Sequence, residues 1–156
     1  MQRVLIIEDD RNVAEGIQDI LEAAGYGSQI AEDAETAEKL LKEEHTDLIL
    51  MDVHLGVENG YELCRKIRRN REIPVIFLTA CNSEMELIRG FQAGGDDYVT
   101  KPFRVQELLL RIQAVLRRAG KELESVVTSG ELVCDRKNCQ MKKNGKLLNL
   151  TLTEWR

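Results

Sequence analysis

The chain has 156 residues, room for one domain of ordinary size and a smaller segment beyond it. It is 43% apolar and 31% charged, and no apolar run approaches the roughly 20 residues that a membrane span needs. Twenty-two basic residues against 27 acidic ones leave a net charge of −5, divided as +2 on residues 120–156 and −7 on residues 1–119, so charge alone does not suggest a nucleic-acid binder.

The first element is the apolar, β-branched run Val4-Leu5-Ile6-Ile7, which meets Glu8-Asp9-Asp10 at once. Val13, Ile17, Ile20, Leu21 and Ala24 then recur at the period of a helix with one buried face, and Gly25 stops it. A weaker strand near 28–31 precedes a helix over 34–41. The third strand, over 47–51, ends at Asp52 and is followed by a helix around 63–67. A fourth, over 74–78, ends at Thr79 and is followed by a helix over 83–91. Tyr98-Val99 form a fifth strand that runs into Lys101-Pro102. Val105, Leu108, Leu109, Ile112, Val115 and Leu116 draw the cleanest helical stripe, closed by Arg117-Arg118, where the helix dipole favours cations.

Five strand–helix units with near-continuous apolar strands predict an α/β fold. It is a doubly wound, five-stranded parallel sheet of the flavodoxin-like kind, with its functional crevice at the carboxyl ends of the strands. After Gly120 the pattern changes. Short antiparallel strands are expected over 132–134, 139–143 and 147–150, with Asn144-Gly145 as a hairpin turn. Thr151-Leu152-Thr153-Glu154 has capping-box spacing for a helix beginning at Trp155. The predicted division is a domain over 1–119, a linker over 120–129 and a β fragment over 130–156. No secretory leader is recognisable, so the expected compartment is the cytoplasm and Cys64, Cys81, Cys134 and Cys139 are expected as thiols. Cys134 and Cys139 have no second Cys/His pair nearby and read as strand residues rather than zinc ligands.

The topology brings Glu8, Asp9, Asp10, Asp52, Thr79 and Lys101 to one sheet edge. Carboxylates gathered in one crevice repel and must be protonated, solvated or neutralised by a cation. All-oxygen ligands call for a hard cation, and a shallow, hydrated site suits Mg²⁺. With Lys101 to meet an anion, the set reads as a phosphoryl-transfer site whose nucleophile is Asp52. Asp10 reads as the cap of the first helix. The bland alternatives are Asp52 as a turn cap, Glu8 and Asp9 as solvated acids, Tyr98 as a half-buried strand residue and His54 as exposed loop; His45 reads as structural.

Four strings resemble, in order and at family spacing, the receiver domains of two-component response regulators. They are Val4-Leu5-Ile6-Ile7-Glu8-Asp9-Asp10, Asp47-Leu48-Ile49-Leu50-Met51-Asp52, Pro74-Val75-Ile76-Phe77-Leu78-Thr79-Ala80 and Gly94-Gly95-Asp96-Asp97-Tyr98-Val99-Thr100-Lys101-Pro102-Phe103. The segment from Gly130 to Trp155 resembles the first strands of the winged-helix output domain of the OmpR/PhoB subfamily. The resemblance implies that Asp52 accepts a phosphoryl group from a sensor histidine kinase. It gives Mg²⁺ to Glu8, Asp9, Asp52 and the backbone carbonyl of His54. Thr79 and Lys101 would hold phosphoryl oxygens, Tyr98 would be the aromatic switch that follows Thr79, and Lys101-Pro102 would be a cis peptide. It also implies a homodimer on phosphorylation, through a face that includes Ile88, Phe91, Asp96, Asp97, Glu107, Leu109, Arg111 and Arg118. On this reading the chain is a transcriptional switch rather than an enzyme, apart from its own phosphorylation and slow autodephosphorylation.

Three departures from the family pattern stand out. Gly56 stands where the family usually has proline, so the loop after Asp52 is expected to be more mobile. Leu87 stands where a basic residue is common, which takes one ion pair from the dimer. The recognition helix that would follow Trp155 is not in this sequence, so promoter DNA is a partner expected of the intact protein and not specifically of this chain, and the tail strands are expected to be loose, docked or exchanged. Among other functions, a Mg²⁺-dependent aspartyl-phosphate hydrolase would carry a second acid where His54 stands. A flavin or nucleotide binder would need a Gly-rich loop where Glu8-Asp9-Asp10 stand. An unphosphorylated interaction module is the remaining alternative.

Overall fold

The structure, a computed structural model, describes residues 1–56, 58–80 and 84–120, and beyond them 126–129, 132–135, 140–143 and 146–148, with backbone alone at 84, 86, 87 and in those last four segments. The elements are β1 (Arg3–Ile7), α1 (Arg11–Ala23), β2 (Gly27–Ala31), α2 (Ala34–Glu43), β3 (Leu48–Asp52), β4 (His54–Leu55), β5 (Glu58–Asn59), α3 (Gly60–Arg68), β6 (Val75–Thr79), α4 (Glu84–Gln92), β7 (Asp97–Thr100) and α5 (Val105–Arg118), followed by β8 (Val126–Ser129), β9 (Leu132–Asp135), β10 (Gln140–Lys143) and β11 (Lys146–Leu148).

The main sheet is parallel, with strand order β2-β1-β3-β6-β7. Successive residues of a strand point to opposite faces, and here both faces are covered. Leu48 and Leu50 join a cluster with Ile17, Ile20, Leu108 and Ile112 of α1 and α5. Ile49 and Met51 join one with Leu41, Leu63, Cys64 and Ile67 of α2 and α3. That is why the central strands read as unbroken apolar runs. β2 is an edge strand and mostly half-buried, which explains its weak signal.

The helices begin where the sequence offers acceptors. Asp10 accepts from the N–H groups of Asn12 and Val13 and caps α1 as expected, Asp33 accepts from Thr36 in α2, and Asn59 accepts from Tyr61 at 2.8 Å in α3. His45 is structural: its Nε2 lies 2.8 Å from Asp47, whose other oxygen accepts from the Arg3 N–H.

Beyond α5, a four-stranded antiparallel sheet has the order β11-β10-β9-β8. Its last three strands match the expected segments. The first, Val126–Ser129, falls in the stretch assigned to the linker; it pairs with β9 from Val126↔Asp135 to Ser129↔Leu132. The β-branched Val126-Val127-Thr128, closed by the turn dipeptide Ser129-Gly130, is the signal, but a four-residue run is too short to stand out. The Asn144-Gly145 turn, the capping box at Thr151–Glu154, Cys81, Cys139 and the Leu87 side chain lie outside the described residues.

Candidate functional site

Asp52 is the last residue of β3, Glu8 follows β1, Thr79 closes β6 and Lys101 follows β7, so four neighbouring strands deliver them to one edge. Glu8 is 1% exposed and Asp52 6%, while Asp9 stands in solvent. Lys101 Nζ donates to Glu8 Oε1 at 3.1 Å and to Asp52 Oδ2 at 3.4 Å. The other Asp52 oxygen accepts from the His54 N–H at 3.1 Å. Thr79 is fully buried, and its carbonyl accepts from the Lys101 N–H at 2.6 Å. The Lys101-Pro102 peptide is cis, as expected.

The electrostatics follow from burial. Burial is the main cause that pushes the Glu8 carboxyl up to about 8, the adjacent Asp52 carboxyl adds to it, and Lys101 opposes it. Burial by itself would lower Lys101, but Glu8 and Asp52 outweigh it and hold the ammonium above its usual value. Oxygens of Glu8, Asp9 and Asp52 lie within 4.8 Å of one another, and Glu8 Oε2 is buried with no hydrogen-bond partner. A buried carboxylate oxygen without a donor is costly. A divalent cation shared by three carboxylates would satisfy it, and an all-oxygen donor set fits Mg²⁺.

The loop after Asp52 closes as a two-stranded hairpin, β4 against β5. Gly56 turns it with φ +61°, which proline, fixed near −65°, cannot adopt. The replacement of the usual proline therefore comes with a different turn. Gly60 donates its N–H to the Val53 carbonyl at 2.7 Å. A Cβ on Gly60 would lie 2.3 Å from the Asp52 carbonyl oxygen, so only glycine lets α3 start this close to Asp52.

The other expected residues divide. Tyr98 is buried, with its hydroxyl 3.3 Å from that of Tyr61. Ile88 and Phe91 are exposed on α4, at 44% and 51%. Asp97 pairs with Arg111 of its own chain at 2.9 Å, and Arg111 also meets Glu107 at 3.3 Å. Asp96 is held by Arg68 at 2.5 Å and accepts from the Val75 N–H. Arg118 is exposed beside a small pocket that Asp96 also lines. Leu109 corrects the expectation: it is 4% exposed and part of the core, because it lies in the apolar stripe of α5, whereas Leu110 is 50% exposed. Met85, 70% exposed on α4, is a further apolar side chain of that surface. Tyr61 and Arg68 carry no local sequence signal of their long-range partners.

A family model described as the response regulator receiver domain matches residues 4–113. The transcriptional regulatory protein AfsQ1 of Streptomyces coelicolor is 41% identical over all of this chain, which spans 69% of AfsQ1. The Francisella response regulator 1452 receiver domain matches with a TM-score of 0.72 at 32% identity, over 76% of this chain and 99% of that one. DrrB, an OmpR/PhoB homolog of Thermotoga maritima, matches at a TM-score of 0.68 and 32% identity, over 99% of this chain and 69% of its own.

Proposed function

The chain belongs to the response-regulator family through its receiver domain, and from that premise we propose that Asp52 accepts a phosphoryl group from a sensor histidine kinase with Mg²⁺ as the cation. It is a phosphoacceptor switch rather than a conventional enzyme. The observation that carries the reading is the pairing of a buried, unsatisfied Glu8 oxygen with a lysine that already bridges Glu8 and Asp52.

Glu8, Asp9, Asp52 and the carbonyl of His54 would hold the ion. When bound, it neutralises charge that develops on the phosphoryl oxygens. The chain's residues do the rest. An Asp52 carboxylate oxygen attacks the donor phosphorus. The bond from phosphorus to the donor histidine nitrogen breaks, its electron pair stays on the imidazole, and Asp52 keeps the phosphoryl group as a mixed anhydride. Lys101 then exchanges its contact with Asp52 Oδ2 for a phosphoryl oxygen, a charge-assisted bond that costs little reorganisation because the ammonium is already in place. The Thr79 hydroxyl donates to a second phosphoryl oxygen. Slow loss of the group by water attack at phosphorus would regenerate Asp52.

Phosphorylation would then favour a homodimer through α4, β7 and α5. Ile88, Phe91, Asp96, Asp97, Glu107, Arg111 and Arg118 remain its candidates, whereas Leu109 is occupied by the core. Asp97 and Arg111 must exchange an internal partner for a crossed one, so exposed charge pairs add only about 0–1 kcal/mol each and the apolar contact decides. Among the described residues no helix is long and apolar enough to cross a membrane. We place the protein in the cytoplasm, acting on promoter DNA in its intact form.

Intact mass after incubation with acetyl phosphate tests the chemistry. Wild type should gain one phosphoryl group only with Mg²⁺, and Asp52→Ala should gain none. Absence of a gain in wild type would overturn the reading.

A further inference from the structure

Tyr61 and Tyr98 meet in the layer between the sheet and α4. Tyr61 is 2% exposed, on the first turn of α3, and Tyr98, on β7, is 8% exposed. Their hydroxyls lie 3.3 Å apart. The Tyr61 ring is fixed from two sides: Phe77 meets it edge-on, with centroids 5.0 Å apart at 70°, and the Arg89 guanidinium lies 5.8 Å from its centroid. The Tyr98 ring is fixed from above, since Gly90 of α4 leaves room for it and a Cβ there would stand 3.2 Å from its Cδ2. Tyr61 in turn follows Gly60, whose N–H bonds the Val53 carbonyl and whose Cα is pressed against the Asp52 carbonyl. One short covalent step thus separates the acceptor loop from the phenol that Tyr98 touches.

We propose that Tyr61 is a positioning residue that receives the Tyr98 hydroxyl and holds the inward rotamer, so that α3 as well as Thr79 sets the switch. The proposal rests on the reading of Tyr98 as the switch residue. An outward turn of Tyr98 breaks a hydroxyl–hydroxyl bond in a place closed to bulk water, where such a bond counts for more than it does in solvent. Any shift of Gly60 when Asp52 is modified moves the Tyr61 end of that bond.

The experiment uses the full chain and the variants Tyr61→Phe, Tyr98→Phe and the double variant. Phenylalanine keeps the ring and its contacts, so each variant is expected to fold. In urea denaturation Tyr61→Phe should lower the folding constant about fivefold, the worth of one neutral hydrogen bond, and that loss should be smaller in the Tyr98→Phe background. With only three tyrosines in the chain, ¹³Cε-tyrosine NMR resolves Tyr98. Its signal should move toward the solvent-exposed position in Tyr61→Phe, before and after phosphorylation. Additive losses in denaturation would overturn the bond, and an unmoved Tyr98 signal would overturn the positioning role even if the losses couple. The Mg²⁺-dependent mass gain of wild type is read on the same samples, so a failure of the receiver chemistry is seen apart from a failure of this proposal. A wild-type Tyr98 signal indifferent to phosphorylation would count against the switch reading alone.

Discussion

Glu8 keeps its proton to about pH 8 because it is buried beside another carboxyl, and this ties the metal-free chain's stability to pH. Its folded value is raised above the ordinary carboxylate one, so its contribution is complete below the unfolded value and is lost as pH rises toward about 8. Urea denaturation of the metal-free chain should therefore show stability falling over that window, by on the order of a few kcal/mol at most. Glu8→Gln, which imitates the protonated acid, should flatten the slope and stabilise the metal-free chain near pH 8. The same substitution should weaken Mg²⁺ binding, measured by calorimetry. In wild type, Mg²⁺ competes with a proton, so its affinity should rise with pH up to about 8. A pH-independent affinity would show that Glu8 does not take part. Gly60 is the other residue with a sharp expectation. A methyl group there must displace the Asp52 carbonyl, so Gly60→Ala should cost about 1–3 kcal/mol and slow phosphoryl uptake. An unchanged melting temperature would mean that α3 can retreat freely.

At the scale of elements, α3 carries more of the site than its composition suggests, because its first turn supports the loop after Asp52. Asn59→Ala removes the acceptor for the Tyr61 N–H and should cost about 1 kcal/mol, seen as a lower melting temperature. The elements also show what a sequence can disclose. β1, β3 and β6 were legible because burial on both faces leaves only their ends, Arg3, Asp52 and Thr79, polar. The caps of α1 and the acidic strand ends were legible because those residues act within a few positions of where they stand. What was hidden depends on distant partners: Asp96 beside Arg68 and Tyr98 beside Tyr61 are pairings across the fold. Leu109 is a different case. The helical stripe already assigned it inward, and the family analogy drew it to the surface against that evidence. A dimer face carried by Ile88 and Phe91 rather than by ion pairs makes a further prediction. Ile88→Asp should leave the phosphorylated chain monomeric in sedimentation, whereas Arg111→Ala should only weaken the dimer.

For the molecule as a whole, Cys64 gives a reporter of complete opening. It is a free, fully buried thiol on the core face of α3, and burial pushes it above the ordinary thiol value against the opposing pull of Arg68. Alkylation of Cys64, followed by peptide mass, should proceed at the rate of global unfolding and no faster.

The strand order has one more consequence, in time rather than in space. Lys101 bonds a carboxylate 93 residues before it in the chain, and β7, which brings it there, is an edge strand and the last of the sheet's five in chain order. A ribosome-bound chain lacking β7 and α5 holds Glu8, Asp9 and Asp52 but neither the lysine that bridges them nor the apolar stripe that closes one face of the core. On the proposed chemistry, a chain halted before β7 should therefore draw no phosphoryl group from a donor, which intact mass after acetyl phosphate would check.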